Sequence, residues 1–190
     1  MNIVCLLGSP RPNGNSAAIA KHFLDTAASL GGHIQTFELN KLAYRGCQGC
    51  LVCKTRLDKC VLKDDLTRVL DAVHEADVLV LATPVYYGDV TGQLKLYLDR
   101  TYSYLKPDYL TNPQPSRLAP GKRLVFIVTQ GHPDEAMFND VFPRYDKFFK
   151  WYGFKESHLI RACGVSKAGE VVSQKNIMKR AEETARNIMK

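Results

Sequence analysis

Cys47-Gln48-Gly49-Cys50-Leu51-Val52-Cys53, followed by Cys60, sets four thiols within fourteen residues at the spacing C-x2-C-x2-C-x6-C. Four thiolates can close around one metal ion or a 4Fe–4S cube, and the first three are spaced as in bacterial ferredoxin runs. The fourth departs from that run, because six residues intervene instead of three and Val61 follows where a proline would stand. Zinc held by Cys47, Cys50, Cys53 and Cys60 is a second chemistry, although zinc ribbons present two separated pairs. An empty motif or regulatory thiols are a third. Cys5 and Cys163 lie in strand-like runs and read as small buried hydrophobes.

A second stretch suits phosphate chemistry. Gly8-Ser9-Pro10-Arg11-Pro12-Asn13-Gly14-Asn15-Ser16 follows the apolar run Ile3-Val4-Cys5-Leu6-Leu7 and precedes a helical pattern from Ala17 to Leu24. It therefore joins a buried strand to a helix N-terminus, where unpaired N–H groups and the helix dipole favour an anion. Ser9, Asn15 and Ser16 can add donors, and Arg11 adds full charge. Five residues separate Gly8 from Gly14, and Asn15 occupies the place of a triphosphate-gripping lysine, so the nucleotide-triphosphatase pattern fails. Gly-x-Gly-x-x-Gly is also absent, which argues against a tightly packed pyrophosphate. A terminal monophosphate, as on FMN, remains; the bland alternative is a polar strand-to-helix turn.

Pro84-Val85-Tyr86-Tyr87-Gly88 has the composition of a flat-ring site. Tyrosine faces stack on aromatic heterocycles, and Gly88 permits close backbone approach. Two tyrosines that simply pack on the next helix would look the same. Thr129-Gln130-Gly131-His132 ends the fourth strand and opens the loop after it, close to the other two, with His132 either touching a ligand or capping the next helical region. No Ser-His-Asp order or carboxylate pair supports hydrolysis.

These loops need elements to hold them. Helix patterns start near Ser16, at Asp64 or Asp65, near Gly92, around Pro143 and after Ser173 as a cap; strand patterns cover residues 3–7, 33–39, 77–83, 123–129 and 154–165. The run Asp77 to Thr83 is apolar on both faces, as a central parallel strand must be. Strands alternating with helices predict an α/β three-layer sandwich with a five-stranded parallel sheet in order 2-1-3-4-5, one unit over residues 1–190. In that order the strand sequence reverses between strands one and three, and ligands sit beyond the carboxyl ends there. The connection of about 40–63 is too long for a bare link, so something orders it. The aromatic stripe Phe138, Val141, Phe142, Tyr145, Phe148, Phe149 and Tyr152 reads as core or subunit interface.

The 190 residues hold 26 Lys or Arg against 19 Asp or Glu, a net charge of +7 that is dispersed rather than blocked. That favours a solvated surface, a phosphorylated ligand or an acidic redox partner over nucleic acid. No apolar run reaches the roughly 20 residues that span a bilayer, and no leader pattern opens the chain. A cytoplasmic protein without membrane contact is expected.

With these segments assembled, the chain resembles the flavodoxin-like NADPH-dependent FMN reductase superfamily, and within it the iron–sulfur flavoproteins. The carrying residues are Gly8 to Ser16, the cysteine motif through Asp64-Asp65, and Thr83 to Gly88 leading to Leu98-Asp99-Arg100. The resemblance implies bound FMN, its phosphate at Ser9, Arg11, Asn13, Gly14, Asn15 and Ser16, and its ring against Pro84, Val85, Tyr86, Tyr87 and Gly88, with Thr129 and Gly131 close by. It implies electron transfer from NAD(P)H to a quinone, flavin or other small acceptor, with the flavin rather than a side chain carrying the chemistry. It also implies a homodimer or homotetramer. If Cys47, Cys50, Cys53 and Cys60 hold a 4Fe–4S cluster, a ferredoxin-like protein becomes the alternative electron donor.

Overall fold

A computed structural model describes residues 1–190. Its elements are β1 (Asn2–Leu7), α1 (Asn15–Ser29), β2 (His33–Glu38), α2 (Val52–Thr55), α3 (Leu66–Glu75), β3 (Val78–Pro84), α4 (Gly92–Arg100), β4 (Lys122–Thr129), α5 (Val141–Trp151), β5 (Phe154–Ala162) and α6 (Lys175–Ile188). The five strands form one parallel sheet in the order β2-β1-β3-β4-β5. This is the flavodoxin-like arrangement that the alternation of elements predicts.

The two-residue period of the strands builds two cores. Ile3, Cys5, Val78, Val80 and Ala82 point to the face covered by α1 and α6; Val4, Leu6, Leu79, Leu81 and Phe126 point to the face covered by α3, α4 and α5. β3 is buried along Val78 to Thr83, matching its unbroken apolar run. Burial of Cys5 pushes its thiol up to about 12, so it is an inert core side chain.

Local details depart from the sequence pattern where side chains have other work. Ser173 does not cap the last helix; it ends a 3-10 turn over Glu170–Ser173 and its hydroxyl donates to Glu170 O at 2.8 Å. Gln174 stands at the cap instead. β5 stops at Ala162, so Cys163 is half-buried beyond the strand, its carbonyl accepting from Gln174 at 2.9 Å. Phe138 lies outside α5 with a left-handed φ of 62°. Asp64 and Asp65 divide the start of α3: Asp64 accepts from Leu66 N at 3.1 Å, while Asp65 accepts from Ala43 N at 2.8 Å and ties the preceding loop down.

Thr91 sets the spacing of the site. It caps α4 by accepting from Leu94 N, and donates to Gly8 O at 2.7 Å, while Gly8 N donates to Ala82 O at 2.8 Å. A Cβ at Gly8 would stand 3.0 Å from Thr91 Oγ1 and Leu94 Cβ. Glycine there lets β1 end flush against α4. No helix is long and apolar enough to cross a membrane.

Candidate active site

The loops after β1, β3, β4 and β5 enclose a cleft of about 180 Å³. Ser9, Arg11, Gly14, Asn15 and Ser16 form one wall; Pro84, Val85 and Tyr86 form another; Thr129 and Gly131 lie between, with Val165 and Ser166 closing the far side. The strand order brings these segments together at the reversal between β1 and β3.

At the β1 wall, Gly14 is the N-cap of α1 and offers no side chain, while its carbonyl takes the first helical bond from Ala18 N at 3.0 Å. The N–H groups of Asn15 and Ser16 have no partner in the protein. Two orphan amides at the positive end of a 15-residue helix make an anion cradle. Arg11 arches over it, donating from Nη1 to Ser166 O at 2.9 Å. Its backbone N–H donates to Ser9 Oγ at 3.1 Å. The side chain of Asn15 has other work: Nδ2 donates to Lys167 O at 2.9 Å and Oδ1 accepts from Val171 N at 3.1 Å. Asn15 thus serves the cleft through its backbone. Asn13 lies on the other side of the loop, in a groove along α1 and β2.

The loop after β5 is held by Glu170, whose carboxylate accepts from Ser166 N at 2.8 Å and Lys167 N at 3.0 Å. Those backbone bonds bring its carboxyl below the ordinary value. A Cβ at Gly131 would sit 2.7 Å from Ser166 Oγ, so a larger residue there would turn the serine hydroxyl aside. Val165 and Ser166 carry no sequence motif; the only signal for them was Gly164, whose φ of 71° turns the chain back toward the cleft.

At the β3 wall, Val85 N donates to Thr129 O at 2.8 Å, which docks the turn on β4. Tyr86 and Asp89 exchange backbone bonds across Tyr87 and Gly88, whose φ values are 51° and 81°. Two left-handed residues in a row form the tight hairpin turn that normally asks for Asn-Gly. The Tyr87 ring is fully exposed and Tyr86 half so. Asp89 steadies the turn from behind, accepting from Tyr145 Oη at 2.9 Å and Val90 N at 2.7 Å. His132 does not line the cleft; its Nδ1 accepts from Asp134 N at 3.1 Å, which makes it a turn cap.

The cysteine loop forms a second, smaller site. Cys47, Cys50, Cys53 and Cys60 line one cavity of about 50 Å³, together with Leu51, Val61, Leu62, Arg100 and Tyr102. All six cysteines of the chain are free. Cys53 is pushed up by burial, lowered by the Lys54 ammonium and raised again by the nearby Cys60 and Cys47. No group of three or more His, Cys, Asp or Glu is arranged to hold a metal ion in this conformation. The donor set still suits a thiolate-bound group: four cysteines on one apolar cavity with the Arg100 guanidinium in its lining, and with Lys54 and Arg117 acting electrostatically on Cys53. Lys54 Nζ donates to Tyr102 O and Leu105 O, each at 2.6 Å, and Arg117 donates to Ser103 O, Cys53 O at 2.9 Å and Leu105 O. Sequence reading quoted Arg100 only as part of the resemblance and gave it no role, and it did not single out the half-buried Arg117, because in one dimension either looks like any surface charge.

A larger concavity, about 600 Å³, is the groove along α1 and β2. Its wall is mainly apolar and its Lys21 and Asp25 satisfy one another at 2.6 Å. The smaller cleft has the free amides and the convergent loops, which makes it the candidate site.

Residues 1–137 match the family described as NADPH-dependent FMN reductase. The chain belongs to that family. Among its relatives, an iron–sulfur flavoprotein of Methanocaldococcus jannaschii is 36% identical over 101 residues, 53% of this chain and 52% of the relative. Another iron–sulfur flavoprotein, from Archaeoglobus fulgidus, is 34% identical over 55% of this chain and 47% of its own length. The chain thus spans about half the length of these relatives. In three dimensions it superimposes on an FMN-dependent NADH-azoreductase from Bacillus anthracis, in complex with FMN, with a TM-score of 0.77 and 19% identity over the whole of both chains. At that identity the likeness carries the fold and nothing finer.

Proposed function

We propose that this chain is an FMN-dependent oxidoreductase that takes a hydride from NAD(P)H and passes electrons to a quinone, flavin or other small acceptor. One observation carries the reading. The orphan amides of Asn15 and Ser16 under Arg11 face the same cleft as the tyrosine turn after β3. When bound, FMN would supply a ring able to accept a hydride and release electrons. The chain's own residues do the placing: Ser9, Arg11, Ser16 and the α1 amides neutralise the phosphate, and Tyr86 and Tyr87 offer faces to the ring. Gly88 admits the ring edge to the backbone, and Thr129 and Gly131 form the floor. A cleft of about 180 Å³ suits the phosphate and its polyol chain, which leaves the ring near the surface where a nicotinamide can reach it. No side chain is assigned a proton-transfer role. The family and the fold of the azoreductase support this assignment. The test is an anaerobic titration of FMN-loaded protein with NADH and NADPH. Bleaching of the flavin absorbance is expected with at least one, and a response to neither would sink the assignment.

A second reading rests on the shared cavity of Cys47, Cys50, Cys53 and Cys60. In it Cys47, Cys50, Cys53 and Cys60 would hold a 4Fe–4S cluster able to pass single electrons from a ferredoxin-like protein to FMN; the relatives in M. jannaschii and A. fulgidus are iron–sulfur flavoproteins, which supports the cluster and says nothing of the donor. Rapid reduction by ferredoxin with no response to nicotinamides would select it; stoichiometric zinc without iron or sulfide would remove it. The exposed Phe148 and Trp151 on α5 support assembly as a homodimer or homotetramer. A single cytoplasmic FMN-binding unit over residues 1–190 completes the proposal.

A further inference from the structure

One wall of the cysteine cavity is a cation with no surface role. Arg100, the last residue of α4, is 1% exposed and heads the fully buried side chains by size. A guanidinium is costly to bury unless each nitrogen finds a partner. Nη1 donates to Arg45 O at 3.0 Å and to Asp64 Oδ2 at 2.8 Å, and Nη2 donates to Leu62 O at 3.3 Å. Asp64 Oδ2 also accepts from Arg45 N at 3.2 Å. These partners are the two ends of the cysteine segment, Arg45 lying just before Cys47 and Leu62 just after Cys60. The remaining nitrogen, Nε, is buried with no partner, although Arg100 lines the cavity that the four cysteines share.

We propose that Arg100 is a positioning residue for a thiolate-held iron–sulfur cluster, clamping both ends of the cysteine loop and offering its unpaired Nε–H to sulfur. The inference rests on the iron–sulfur reading of the loop. Its physical content has two parts. Pinned loop ends leave fewer conformations for the four thiols to lose when they gather, so a bound cluster is retained longer. A donor and a positive charge beside sulfur favour the more negative, reduced state, which raises the reduction potential.

The experiment uses the full chain, reconstituted anaerobically with ferrous iron and sulfide, beside Arg100→Lys. Lysine keeps a charge for Asp64 and loses both the fork and the Nε–H. Circular dichroism of the metal-free proteins first establishes that the variant folds. Expected are iron loss to a ferrous chelator at least about tenfold faster than in the parent, and a cluster midpoint potential shifted to more negative values. A merely structural arginine would not move the potential of the folded variant. Unchanged release and unchanged potential overturn the role of Arg100 and leave the cluster standing. A parent chain that takes up no iron or sulfide overturns the cluster reading, and this role with it. Should Arg100→Lys not fold, Asp64→Asn loosens the same clamp with the arginine in place; faster iron release is then expected, and an unchanged rate overturns the proposal.

Discussion

Tyr87 holds a left-handed backbone while nothing packs on its ring. For an L-residue that conformation costs about 1–2 kcal/mol, and such strain is retained where a side chain is needed for more than folding. Tyr87→Gly is therefore expected to raise stability in urea by about 0.5–1 kcal/mol, since glycine's greater unfolded freedom cancels part of the relief. The same change removes a stacking face worth about 0.5–1.5 kcal/mol, so FMN affinity should fall up to about tenfold. Loss of stability in the unloaded variant would show that the ring supports the fold instead. Arg11→Ala is expected to weaken FMN by about ten- to a hundredfold, because bonds to a charged group contribute about 1.5–3 kcal/mol. Riboflavin, which lacks the phosphate, should bind both proteins alike; an equal loss for riboflavin would place Arg11 on the ring rather than the phosphate.

Among the elements, the Arg100–Asp64 pair joins α4 to the start of α3 across the cysteine loop. Burial pushes the Asp64 carboxyl up, but the Arg100 guanidinium and the N–H groups of Arg45 and Leu66 together bring it below its ordinary value. A depressed carboxyl binds its proton more weakly in the folded state than in the unfolded chain. Its contribution to stability is present in full above the ordinary carboxylate range and is lost as pH falls through the lower folded value. Asp64→Asn should remove that part of the acid dependence, read as a shallower loss of urea stability below about pH 4. Asp64→Ala should cost about 3–5 kcal/mol, because it leaves a buried guanidinium uncompensated. If Asp64→Asn and the parent follow the same acid profile, the pair does not set it. Sequence patterns located α3 from Leu66, Val69, Leu70 and Val73 and the phosphate turn from its glycines, because period and turn chemistry are local. They could not show that Asn15 is committed to Lys167 and Val171, that Ser166 closes the cleft, or that Arg100 is buried. Each of those facts depends on segments far apart in the chain.

For the molecule as a whole, the parallel order β2-β1-β3-β4-β5 puts β3 at the centre, and β3 could be recognised as central because both its faces are apolar. That topology fixes which loops meet, so placing the cleft needed only the strand order. The cysteine segment behaves differently. Its cysteines contribute to neither core as fully buried members, and it is fastened by carbonyls gripped by Lys54, Arg117 and Arg100. A segment secured that way is legible as a motif and illegible as a shape.

The backbone carbonyls of Arg45 and Leu62 meet on one guanidinium, so the excursion leaves and returns at the same doorway. Topologically it is a detachable cartridge. Replacing residues 46–61 with a short Gly-Asn turn shortens a closed loop, which lowers the entropy cost of folding rather than raising it. The trimmed protein loses the Lys54 bonds to Tyr102 O and Leu105 O and the Cys53 O partner of Arg117 along with its clustered thiols, and it should still unfold cooperatively and take up FMN. An insoluble product, or one blind to flavin, would mean that the cartridge also braces the chassis.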